Sequence, residues 1–91
     1  MVFTENLSPD LEDWLRNTIS GLVEYPDRIE IVKSIDEQGL LFTVKVASED
    51  MGKLIGRKGV IAISLRTLLR YAGNMVDARA SMKIVEPDTE L

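Results

Sequence analysis

The chain has neither cysteine nor histidine among its 91 residues. Disulfide staples, thiol nucleophiles, imidazole acid–base chemistry and the commonest zinc ligands are therefore excluded. Long apolar runs are also missing. The longest stretches without charge are Asn17 to Val23, Gln38 to Val44 and Gly59 to Leu65, far below the ~20 residues that a membrane span needs. The segment Met1-Val2-Phe3-Thr4-Glu5 has an acid and no basic stretch, so no secretory signal is expected and the expected address is cytoplasmic. No HExxH and no Walker loop is present. The acid pairs Glu12-Asp13, Asp36-Glu37 and Glu49-Asp50 read as a helix surface, a turn and a helix start. The chain is accordingly expected to be no enzyme, and to need no metal and no cofactor.

What remains is ordinary globular material: 45% hydrophobic and 29% charged residues. A chain of this length buries roughly 64% of its surface on folding, enough for one two-layer core. One domain over residues 1–91 is expected, with a folded core of about 8–86 and frayed ends.

Acid is absent from one more place. Residues 1–50 hold eleven acids and four bases, whereas residues 51–76 hold Lys53, Arg57, Lys58, Arg66 and Arg70 and no acid. The overall charge of −4 argues against a general nucleic-acid binder, but this window points to a local positive patch facing an anion.

Ser8-Pro9-Asp10 reads as a helix start, with a capping hydroxyl, proline in the first turn and an acid at the positive dipole end. Leu11, Trp14, Leu15, Thr18, Ile19, Leu22 and Val23 then form one apolar stripe, ended by Tyr25-Pro26. Trp14 reads as a core anchor. Arg28 to Ile35 and Leu40 to Val46 read as two strands of a hairpin around Asp36-Glu37-Gln38-Gly39. Ser48-Glu49-Asp50 opens a short helix through Met51, Leu54 and Ile55. A longer helix follows, with Ile61, Leu65, Leu68, Leu69 and Ala72 inward and an end near Gly73-Asn74. Ala78 to Val85 forms the last strand, whose direction is open. The fold class is α+β: an α-β-β-α-α-β two-layer sandwich, with three strands and the helices on one face.

Between the second and third helices stands Gly56-Arg57-Lys58-Gly59. Glycine at both ends lets another chain approach the backbone, and the loop leads into a helix N-terminus that favours phosphate. With Ala47 to Gly59, Ile61-Ala62 and Leu65-Arg66-Thr67 around it, the chain resembles a type II KH domain. More closely, it resembles the small bacterial single-KH proteins of the KhpA type.

The resemblance implies a post-transcriptional regulator or RNA chaperone that clamps about four nucleotides of single-stranded RNA. Gly56, Arg57, Lys58 and Gly59 would hold the backbone, and Ile55 would form a floor under the bases. Charge and spacing add Lys53, Arg66 and Arg70. Neutralising three to five phosphates predicts a log–log salt slope of roughly −2 to −3.5.

Two positions depart from the family pattern. Val60 and Ile63 stand where basic or polar residues are usual. With Leu68 at the edge of the core face, they mark a candidate dimer interface. The resemblance also implies a homodimer, and a heteromer with a larger KH-containing RNA-binding protein of the KhpB/Jag type. The alternative reading is a protein-interaction module that has kept the fold and lost much of its RNA binding.

Overall fold

The computed structural model describes residues 7–75 and 77–91, with side chains from Leu11 onward. The expected cap at Ser8 and the reading of Met1 to Glu5 lie outside what is described. The elements run α1 (Leu7–Ser20), β1 (Glu30–Asp36), β2 (Gly39–Lys45), α2 (Met51–Ile55), α3 (Val60–Asn74) and β3 (Ala80–Ile84). This is the expected α+β order. No described helix is long and apolar enough to cross a membrane.

The sheet order is β1-β2-β3. β1 and β2 pair antiparallel, with Ile31 opposite Val44 and Lys33 opposite Phe42. β3 pairs parallel to β2, with Leu40 opposite Ala80 and Val44 opposite Ile84, which resolves the direction that the pattern left open. Because β2 is central, its alternation is clean. Leu40, Phe42 and Val44 are buried and meet Leu11, Leu15 and Ile19 of α1, Leu54 of α2, and Leu65 and Leu69 of α3 in one core. Trp14 is half-buried against that core, as an anchor should be.

Two expectations need correction, the end of α1 and the inward place of Leu68. The α1 helix stops at Ser20, before Gly21, instead of running to Tyr25. The amides of Glu24 and Tyr25 go instead to the two carboxylate oxygens of Asp50, at 2.9 and 3.0 Å, so a residue 25 positions away ends the helix early. Ile35 carries the inward parity of β1 but is 72% exposed. It lies on an edge strand of which only Ile31 reaches the core. Leu68 is 51% exposed, because Ala62, Leu65, Leu69 and Gly73 form the buried stripe of α3.

Gly73 shows how close α3 comes to β3. A side chain there would meet the Ala78 carbonyl oxygen at 2.6 Å. Arg66 Nε also donates to the Met82 carbonyl at 3.1 Å, tying the helix to the outer strand.

Candidate nucleic-acid interface

Gly56 ends α2, its amide donating to the Gly52 carbonyl at 2.9 Å with φ 75° and ψ 178°. That backbone region is essentially restricted to glycine, and a Cβ would fall on the Ile61 side chain. Arg57 to Gly59 then make one tight turn, with the Gly59 amide donating to the Gly56 carbonyl at 3.3 Å. Lys58 and Gly59 are both left-handed, at φ 55° and 78°. Two successive left-handed residues reverse the chain within four positions and set the Arg57 and Lys58 side chains in solvent.

The turn opens straight into α3. This helix start has no side-chain cap and no acid in its first turn; the Val60 amide donates to the Arg57 carbonyl, and the positive dipole end is left without an anion of the protein's own. Among the described residues the ion pairs are Lys45–Glu30 and Lys53–Glu24. Arg57, Lys58, Arg66 and Arg70 take part in neither. Their charge is uncompensated at short range, which is what attracts a polyanion to a protein of net negative charge.

The expected site residues separate by place. Gly56, Arg57, Lys58 and Gly59 form the loop, and Ile55 lies immediately before it, 37% exposed. Arg66 and Arg70 sit one turn apart on a single flank of α3, the flank that faces β3 through the Arg66 contact. Lys53 is differently engaged. Its ammonium donates to Glu24 at 2.7 Å, and that hydrogen bond raises its pKa above the usual lysine value. It pins α2 to the connection after α1.

Val60, Ile63 and Leu68 are 52, 56 and 51% exposed. Tyr71 at 66% and Met75 at 45% extend the same surface and were missed by the reading of the sequence. Val60, Ser64, Thr67, Tyr71 and Met75 follow the spacing i, i+4, i+7, i+11, i+15, one helix face, and that signal was available. The Ser64 and Thr67 hydroxyls turn back to the Val60 and Ile63 carbonyls at 2.7 and 3.0 Å. The face therefore presents little unpaired polarity.

A family model described as KhpA/KhpB, KH domain, matches residues 12–84. Among curated proteins, the chain is similar to an RNA-binding protein KhpA of Clostridium acetobutylicum, 33% identical over 82% of this chain and 100% of that one. It is also similar to proteins of that name from Caldanaerobacter subterraneus subsp. tengcongensis, 35% identical over 78% of this chain and 95% of the relative, and from Treponema pallidum, 35% identical over 82% and 94%.

Proposed function

The chain belongs to the KhpA/KhpB family of KH-domain proteins, and from that premise we propose that it binds single-stranded RNA at the Gly56–Gly59 loop. One observation carries this reading: a basic, doubly left-handed turn runs directly into an uncapped, acid-free helix N-terminus. The backbone of the loop and the first amides of α3 hold phosphates. Arg57 and Lys58 supply charge, Ile55 lies under the bases, and Arg66 and Arg70 continue the positive track. Recognition of a flexible, unpaired strand suits a post-transcriptional regulator or RNA chaperone.

The test exchanges Arg57 and Lys58 for Asp together and titrates short single-stranded RNA at low salt. Binding is expected to fall at least tenfold, and the salt slope to shrink by about 1.4, from two lost phosphate contacts at about 0.7 each. Unchanged affinity in a folded variant refutes the reading.

A second reading is favoured by the exposed apolar face of α3, which suits a helix-to-helix contact with another copy, or with a larger KhpB/Jag-type protein. The two functions are compatible on the stripe of Val60, Tyr71 and Met75, since Arg66 and Arg70 lie on the flank of Ile63, three and seven residues after it. Exchanging Tyr71 for Glu should convert the protein to monomer in sedimentation while RNA still shifts the loop. A wild-type protein that sediments as a 10.2 kDa monomer at tens of micromolar removes self-association.

A further inference from the structure

The segment after β3 lies outside the residues 12–84 that the family model matches. It is acidic, and it is fastened. Glu86, Asp88 and Glu90 are exposed, whereas Val85, Pro87 and Thr89 alternate with them and are half-buried. The Val85 amide extends the sheet by donating to the Val44 carbonyl at 3.0 Å. Glu86 to Thr89 then make a turn, with Pro87 second in it and the Thr89 amide donating to the Glu86 carbonyl at 3.0 Å. Pro87 lines a cleft of about 450 Å³ with Asp27, Arg28 and Glu30, on the β1 side of the sheet.

One side chain holds the turn there. The Lys45 ammonium donates to the Thr89 carbonyl at 2.8 Å and pairs with Glu30 at 3.3 Å. Glu86, Asp88 and Glu90 belong to no ion pair among the described residues. The segment also leaves the sheet level with the basic loop. Gly73 lies against the Ala78 carbonyl and Arg66 reaches the Met82 carbonyl, so α3 runs back along β3. Val60 stands six residues before Arg66, about 9 Å along the helix. The same distance carries β3 about three residues past Met82, to Val85. Three carboxylates are therefore tethered at the end of the sheet where Arg57 and Lys58 stand, and the Lys45 contact directs them away across β2.

We propose that residues 86–91 are a tethered competitor of the RNA. Held by Lys45, the segment leaves the loop free. Released, it lays its carboxylates on Arg57, Lys58 and the start of α3. Carboxylates and phosphates are taken by the same cations and the same helix end. A short tether keeps the effective concentration near about 1 mM, so the segment competes without any second molecule. Whatever takes Lys45 from Thr89 then lowers RNA binding. The inference rests on the RNA reading above.

The test uses the full chain and a U8 oligoribonucleotide at low salt. Glu86→Gln, Asp88→Asn and Glu90→Gln together change only exposed side chains and should tighten binding about two- to threefold. Lys45→Met should weaken it about three- to fivefold, Lys45→Arg should bind as the wild type does, and Lys45→Met in the neutralised chain should have almost no effect. Without RNA, the amide signals of Gly56 to Gly59 should shift in Lys45→Met and return once the segment is neutralised as well. An equal loss on Lys45→Met in both backgrounds overturns the competitor, since Lys45 then acts through its own charge alone. Loop signals that stay in place in Lys45→Met overturn it too, leaving long-range repulsion as the only effect of the acids. Unchanged affinity in the neutralised chain overturns it whatever the Lys45 variants do. A loop silent to U8 in every variant overturns the RNA reading and this inference with it.

Discussion

Two helices begin nine residues apart, at Met51 and Val60, and the residues that lead into them carry opposite charge. At the start of α2 every acid is spoken for. Asp50 is fully buried and accepts the Glu24 and Tyr25 amides. Glu49 is held below its ordinary pKa by a backbone amide and the Ser48 hydroxyl. At the start of α3 there is no acid and no side-chain cap, only a basic turn with two glycines. Both places have the positive end of a helix. Neither has a side-chain cap, but two acids of the protein itself precede the first, whereas no acid stands at the second. The difference teaches that a helix N-terminus is structural or functional according to who supplies the negative charge.

The acidic start should break hardest. Replacing Asp50 with Ala removes two part-buried hydrogen bonds to a charge, those from the Glu24 and Tyr25 amides, so stability should fall by about 3 kcal/mol. For a domain of this size, that lowers the melting temperature by more than about 10 °C. RNA affinity per folded molecule should hardly move. A variant that melts normally would show that the Asp50 contacts add little, and the contrast between the two ends would weaken.

Within the basic turn, the two glycines differ as well. Gly56→Ala meets both a glycine-only backbone region and the Ile61 side chain, which should cost about 3 kcal/mol. Gly59→Ala meets only the left-handed penalty, because the nearest atom to its added Cβ is Ile63 Cδ1 at 3.8 Å. About 1 kcal/mol is expected there. Chemical denaturation of both variants checks the ranking, and equal losses would mean that the crowding at Gly56 relaxes freely.

The same contrast explains what could be read before any coordinates. The element order and the loop were legible because their signals are local: turn residues, alternation in β2, glycines around two bases. The end of α1 was not, since the acid that takes its amides lies about 25 residues downstream. The parallel direction of β3 was not either, because a crossover over two helices leaves the strand free to return in either sense. Leu68 was assigned inward because α3 is apolar on more than one side, so its periodicity has no sharp edge. Among the site residues, Lys53 reads as a free cation in the sequence. Its partner Glu24 comes from the preceding connection and is visible only in the fold.

The smallest expected effect is the most discriminating. Lys58 is a non-glycine residue held at φ 55°, a conformation that strains side chains by roughly 1 kcal/mol. Lys58→Gly removes the strain but adds backbone freedom to the unfolded chain, so a net gain of about 0.5 kcal/mol is expected. RNA binding should weaken in the same variant, with the salt slope smaller by about 0.7. Lys58→Ala loses the same charge while keeping the left-handed strain, so it should lose the same slope and gain no stability. If glycine stabilises and alanine does not, while both weaken RNA binding alike, then stability and affinity oppose each other at one residue. The basic turn then holds a lysine that the fold alone would not choose. If the two variants are equally stable, the turn carries no stored strain, and charge alone distinguishes it from the acidic helix start nine residues earlier.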